Sequence, residues 1–162
     1  MTAPARMDAD SMEASGFALG GAALCETART LDGWSRLLAL ATLLAWWVSP
    51  FIRDTRFSVL LVVGLVLAVG AACHALRLSF DHPVFTKWSK LDAGELPQAF
   101  STFDGMLART FGKKSPSEDP RPMSERLAGV RRLFVRQLVC VAGQTVVLFA
   151  FLAILISKTP NA

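Results

Sequence analysis

Apolar and polar positions along this chain fall into long blocks rather than a fine alternation. The longest apolar block runs from Phe57 to Leu78, FSVLLVVGLVLAVGAACHALRL, with no acid and one base, Arg77, near its end. A second runs from Leu138 to Ile156, LVCVAGQTVVLFAFLAILI. A weaker third, LLALATLLAWWVSPFI, covers Leu37 to Ile52. An α-helix rises about 1.5 Å per residue, so roughly 20 apolar residues match a hydrocarbon core of about 30 Å. The first two blocks meet that length. The third meets it when Gly33 to Arg36 are included and Arg36 snorkels to the headgroups. The pattern predicts an all-α integral membrane protein with three transmembrane helices, the first one weakest.

A different periodicity lies between the second and third spans. Leu96, Phe100, Phe103, Leu107 and Phe111 recur at helical spacing and share one face of a helix over 96–111. Pro97 suits its first turn, and Gly112 followed by KKSPSEDPRP suits its stop. The apolar stripe has three destinations open to it: the inner ends of the protein's own membrane helices, the bilayer interface, or a partner. Ser124 is an N-cap candidate with Glu125 in the following turn. From there no breaker intervenes before Leu138, so the third span is expected to extend out of the membrane as one helix.

The expected organisation is a polar, disordered arm over 1–32, a transmembrane hairpin over 33–78 and a cytoplasmic loop over 79–123 that carries the amphipathic helix. A basic helix then continues into the last span over 124–157, with a short tail over 158–162. The opening MTAPARMDADSMEASG is small, polar and acidic, which is not the pattern of a signal peptide. Phe17 to Leu31 is moderately apolar and could form a short surface helix.

Composition agrees with this class: of 162 residues, 52% are hydrophobic, with a mean hydropathy of +0.42. The net charge of +4 matters less than its distribution. Lys87, Lys90, Arg109, Lys113, Lys114, Arg121, Arg126, Arg131, Arg132 and Arg136 all fall between the second and third spans. Lys and Arg accumulate in cytoplasmic loops, so this loop and the N-terminus are expected inside and the C-terminus in the periplasm. Arg53 and Arg56 in the hairpin link oppose this mildly, and Asp54 offsets them in part. Trp46 and Trp47 suit the outer aromatic belt and Trp34 the inner one. Arg131, Arg132 and Arg136 lie next to the membrane, where contact with anionic lipids explains them. Acids interleave with these bases and no recognition module is visible, so no nucleic-acid partner is expected. The absence of Tyr and the richness in Ala, Leu and Arg suggest a GC-rich bacterial genome, and with the apolar blocks the expected location is the bacterial inner membrane.

Little in the chain speaks for chemistry. Cys25, Cys73 and Cys140 are odd in number and without paired spacing. His74 lies beside Cys73, but a metal needs three or four ligands, and no second His lies in a span. Neighbouring residues on a helix point about 100° apart, so Cys73 and His74 cannot act together. A dyad of His74 with Cys140 lacks an orienting carboxylate. No cofactor and no enzymatic activity are expected. Small residues do recur at helix-packing spacing: Gly64, Ala68 and Ala72 in the second span, with Cys140, Gly143, Ala150 and Ala153 in the third. The expectation is a non-catalytic accessory or assembly subunit of a larger bacterial inner-membrane complex, of the electron-transfer, photosynthetic or secretion kind. Its partners would be other membrane subunits and anionic lipids. A membrane-surface regulator acting through anionic lipids is the alternative, and a lipid-acting enzyme the third.

Overall fold

The computed structural model describes residues 3–48, 54–91, 94–111 and 123–158, with side chains for all of these except residues 3–14, Pro97, Leu107, Phe111 and Lys158. Four helices make up the described chain: α1 (Ala3–Val48), α2 (Thr55–Trp88), α3 (Leu96–Phe111) and α4 (Met123–Lys158). No strand occurs among the described residues. Two of the helices, α2 and α4, are long and apolar enough to cross a membrane.

α3 has the bounds that its Phe and Leu spacing predicts, and Pro97 sits in its first turn. α4 is one helix, with Glu125 in its first turn, where a carboxylate faces the positive end of the helix dipole. Ser124, expected as the N-cap, lies just inside it. The expected stop at Gly112 lies outside the described residues.

Two elements exceed the expectation. α1 begins at Ala3, so the arm expected to be disordered is helical where it is described. Ala, Met, Glu and Leu dominate that stretch, and these residues lose little side-chain freedom in a helix. α2 runs ten residues beyond Leu78, through Pro83, into what was expected to be loop. A proline inside a helix removes one backbone bond, to the carbonyl four residues earlier. Pro83 is exposed, so the carbonyl freed here lies on the open side of the helix.

Burial along three of the helices follows one rule. In α2 the buried positions include Phe57, Gly64, Ala71, Leu78 and Phe85; in α4 they include Met123, Val130, Gln137, Gln144 and Phe151. In α1 they include Gly21, Ala28, Ser35 and Thr42. Each series steps by seven residues, the repeat of left-handed packing between nearly aligned helices.

The chain divides into two compact units, Met1–Cys25 with Phe80–Arg132 and Glu26–Ser79 with Leu133–Ala162. In the second unit, a Cβ on Gly64 would lie 3.4 Å from Val147 and 3.7 Å from Thr42, so α1, α2 and α4 meet at that level. Gly143 faces Leu67 and Gly70 faces Cys140 Sγ, so α2 runs antiparallel to α4. Gln137 reaches the backbone of Ala28, so α1 and α4 run the same way. Phe57 and Phe151 close one layer edge to face, with ring centroids 4.7 Å apart.

In the first unit, α3 packs through Phe100, whose ring is 4.8 Å from that of Trp88. Phe85 extends the cluster, and its ring occupies the space beside Gly21 on α1.

Candidate functional site

In unit 2 several polar side chains are buried while many large apolar ones are exposed. Ser35, Thr42, Gln137 and Gln144 are buried. Leu37, Leu40, Leu44, Trp47, Val62, Val66, Val69, Val139, Val146 and Phe149 are exposed. Thr42 Oγ1 donates to the carbonyl of Leu38 at 2.8 Å, which satisfies its hydroxyl within its own helix. Gln137 is fully buried, and its Nε2 donates to the Ala28 carbonyl at 2.8 Å. The Gln144 amide, one repeat further along α4, has no protein partner on either atom. Asp32 pairs with Arg36 at 2.6 Å across one turn of α1, leaving its other carboxylate oxygen buried without a partner.

Unit 1 holds the amphipathic stripe. Leu96 and Phe100 are buried and Phe103 is half-buried. Phe100 and Phe103 both meet Trp88 edge to face. The side chains of Leu107 and Phe111 lie outside the described ones. Arg126, at the start of α4, closes the cluster from one side. Its guanidinium lies 5.3 Å from the centre of the Trp88 ring and 5.1 Å from that of Phe100. It donates from Nη2 to Asp104 Oδ2 on α3 at 2.6 Å, with both side chains largely shielded from solvent. Of the three destinations open to the stripe, its described part takes the intramolecular one.

Arg131, Arg132 and Arg136 are exposed on α4. Among the small residues of α2, Gly64 is buried, Ala68 half-buried and Ala72 exposed. The internal contact is therefore made on the seven-residue series through Gly64 and Ala71, not along the four-residue series of Gly64, Ala68 and Ala72. Cys140 Sγ would lie 3.3 Å from a Cβ on Gly70, so this thiol fills the space beside a glycine. Cys73 is exposed and His74 half-buried. No group of three potential metal ligands occurs among the described residues. Cys25 is a buried thiol, pushed up to about 11 by burial first and by the charge of Asp81 second.

Sequence reasoning missed Gln137, Asp104 and Arg126 as structural partners. Arg126 was one base among many between the second and third spans, and Asp104 was not singled out. The available signal was Asp104 at the edge of the Phe stripe, four residues beyond Phe100. Compared with family models, with curated proteins and with solved structures, the chain matches none.

Proposed function

We propose that this chain is a non-catalytic subunit of a bacterial inner-membrane assembly, spanning the bilayer three times and associating through the outer faces of its helices. The observation that carries this reading is the distribution of side chains in unit 2. Large apolar residues point outward on α1, α2 and α4, while Ser35, Thr42, Gln137 and Gln144 point inward. In the span windows of α2 and α4 only 11% and 22% of residues are buried. A core helix of a water-soluble protein would bury most of such a window, because apolar surface in water is costly. In lipid it costs nothing, and polar groups turn inward to find partners.

The exposed Trp34, Leu37, Leu40, Leu43, Leu44, Trp47 and Val48 extend the same argument to α1, which supports a third span. The basic stretch from Lys87 to Arg136 favours a cytoplasmic location for α3, with the C-terminus in the periplasm. Since Phe100 and Phe103 pack internally, contact with neighbouring subunits falls to the spans rather than to the stripe. α3 then braces its own chain.

The test is purification of the tagged chain from its native membrane in mild detergent, with mass spectrometry of what accompanies it. Stoichiometric larger membrane subunits are expected; a clean monomer or homo-oligomer refutes the subunit reading. Reporter fusions after Val48, Trp88 and Lys158 test the topology. Opposite sides for the first two and matching sides for the first and third are expected, and any other pattern rejects three spans. The second reading, action through anionic lipids, draws on the exposed Arg131, Arg132 and Arg136. Under it, replacing these three with Gln abolishes function while leaving complex recovery unchanged.

A further inference from the structure

Three arginines from three different helices of unit 2 fall at one level. Gln137 Nε2 on the Ala28 carbonyl fixes residues 28 and 137 at the same height. Arg29 and Arg136 are their immediate neighbours, and both are exposed. On α2 the facing pairs are Gly64 with Val147, Leu67 with Gly143, and Gly70 with Cys140. Continuing this antiparallel register puts His74 opposite Arg136. Arg77 is exposed about three residues further on, or roughly 4.5 Å along the axis, which a long arginine side chain covers. Two acids of this unit, Glu26 and Asp32, lie three residues to either side of Arg29 on α1.

The same level ends the apolar parts of α2 and α4, while on α1 the continuous apolar block begins further along, at Leu37. From Arg77 back to Phe57, from Arg136 on to Ile156, and from Ala28 on to Val48 is about 20 residues in each case, or about 30 Å. That is the thickness of a hydrocarbon core. Within this length on α1 lie Asp32 and Arg36, paired at 2.6 Å, so their charges offset each other. A helical side chain leans toward the N-terminal end, so Arg36 leans back to the same boundary.

We propose that Arg29, Arg77 and Arg136 form a basic belt that binds the headgroup phosphates of anionic phospholipids in one leaflet. Arg is suited to this, because its planar fork donates two parallel hydrogen bonds to a phosphate. Three such groups around one bundle hold an annulus of acidic lipid and fix how deep the bundle sits. The belt rests on the membrane reading above, and it names the lipid class and the residues that select it.

The test uses the full chain. Flotation with vesicles of phosphatidylcholine alone, and with phosphatidylglycerol added, reports membrane incorporation. Native mass spectrometry of the detergent-purified chain, offered both lipids, reports which one is retained. Preferential retention of phosphatidylglycerol is expected, falling about fivefold for each arginine changed to Gln. The variant with all three changed to Lys keeps the charge and serves as the folding control; it should retain most of the preference. Equal retention of the two lipids by the unaltered chain overturns the belt, as does an unchanged preference in the triple Gln variant. Should that variant misfold, loss of the unaltered chain's preference in high salt is the second measurement, and insensitivity to salt overturns the belt. Failure of the unaltered chain to float with either vesicle overturns the membrane reading itself.

Discussion

Replacing Arg126 with Met leaves Asp104 without its partner while keeping an apolar side chain beside Trp88 and Phe100. The guanidinium of Arg126 now makes a 2.6 Å charge-assisted hydrogen bond and lies over two rings at 5.3 and 5.1 Å. Removing one member of a shielded ion pair costs about 3 kcal/mol or more, because the remaining charge stays desolvated. Each lost cation–π contact adds about 0.5–1 kcal/mol, and the methionine side chain restores part of that through contact with the rings. A net cost of about 3 kcal/mol corresponds to about a 100-fold change in an opening equilibrium. The cost falls on α3, which Arg126 ties to α4, so amide hydrogen exchange over residues 96–111 is the assay. Exchange in α3 should accelerate about 100-fold, while α2 between residues 57 and 78 stays protected. The double variant Arg126→Met, Asp104→Leu removes both charges. It should recover about 2 kcal/mol of the loss, since an apolar replacement of a buried pair is often neutral. Acceleration below about threefold in the single variant, or no recovery in the double, refutes the view that this pair holds α3 in place.

The remaining predictions test packing and titration. Gly21→Ala should destabilise by about 1–3 kcal/mol, because its Cβ would sit 2.5 Å from the ring of Phe85, itself packed on Trp88. Gly33→Ala meets nothing within 4 Å and should stabilise by up to about 1 kcal/mol; thermal unfolding in detergent distinguishes the two signs. Gln144→Leu removes an amide with no protein partner and should be neutral or stabilising by about 1–2 kcal/mol, whereas Gln137→Leu should cost about 1 kcal/mol. A cost above about 2 kcal/mol for Gln144→Leu would refute the view that this buried amide is unpartnered. The Cys25 thiol is raised from about 9 to about 11, so its contribution to stability is complete below pH 9 and disappears as pH rises through 11. Cys25→Ala should flatten the stability profile over that window, and an unchanged slope would rule out this thiol as its cause.

Some of the fold was legible because the pattern that encodes it is one of hydrophobicity. α3 shows its Phe and Leu spacing against a polar background, so its bounds follow directly. The α4 helix has no breaker between Met123 and Lys158, so its continuity follows too. The buried series in α2 and α4 was hidden for the opposite reason. In a span where nearly every residue is apolar, facing inward no longer means being hydrophobic. The inward face holds small and polar residues beside Phe57, Leu78 and Phe151: Gly64 and Ala71 let helices approach, and Gln137 and Gln144 seek partners. A four-residue spacing of small residues was the visible choice, and the structure uses the seven-residue one. The burial along the N-terminal half of α1, where only Phe17 to Leu31 was read as a short surface helix, was hidden likewise. Its buried residues Ala18, Gly21, Cys25 and Ala28 are too small to mark an apolar stripe.

Those small positions carry a consequence for how the chain specifies its structure. Burying apolar area drives helices together in water, but lipid is as apolar as Leu or Val, so with unit 2 in a bilayer, as proposed, that drive is weak. What remains is close contact and hydrogen bonding. Close contact is set by the glycines at positions 64, 70 and 143, each of which receives a side chain from a facing helix. A slide of α4 by one turn would move Val147 off Gly64 and Cys140 off Gly70 together. It would also carry the Gln137 amide about 6 Å away from the Ala28 carbonyl. One polar contact thus marks the register that three glycine contacts fill, much as a single buried polar residue fixes the register of a coiled coil. The same register aligns Arg29, Arg77 and Arg136. Loss of the Gln137 contact should therefore disperse the arginine level before it unfolds the bundle, and lipid selectivity should decline ahead of helicity as Gln137→Leu is warmed.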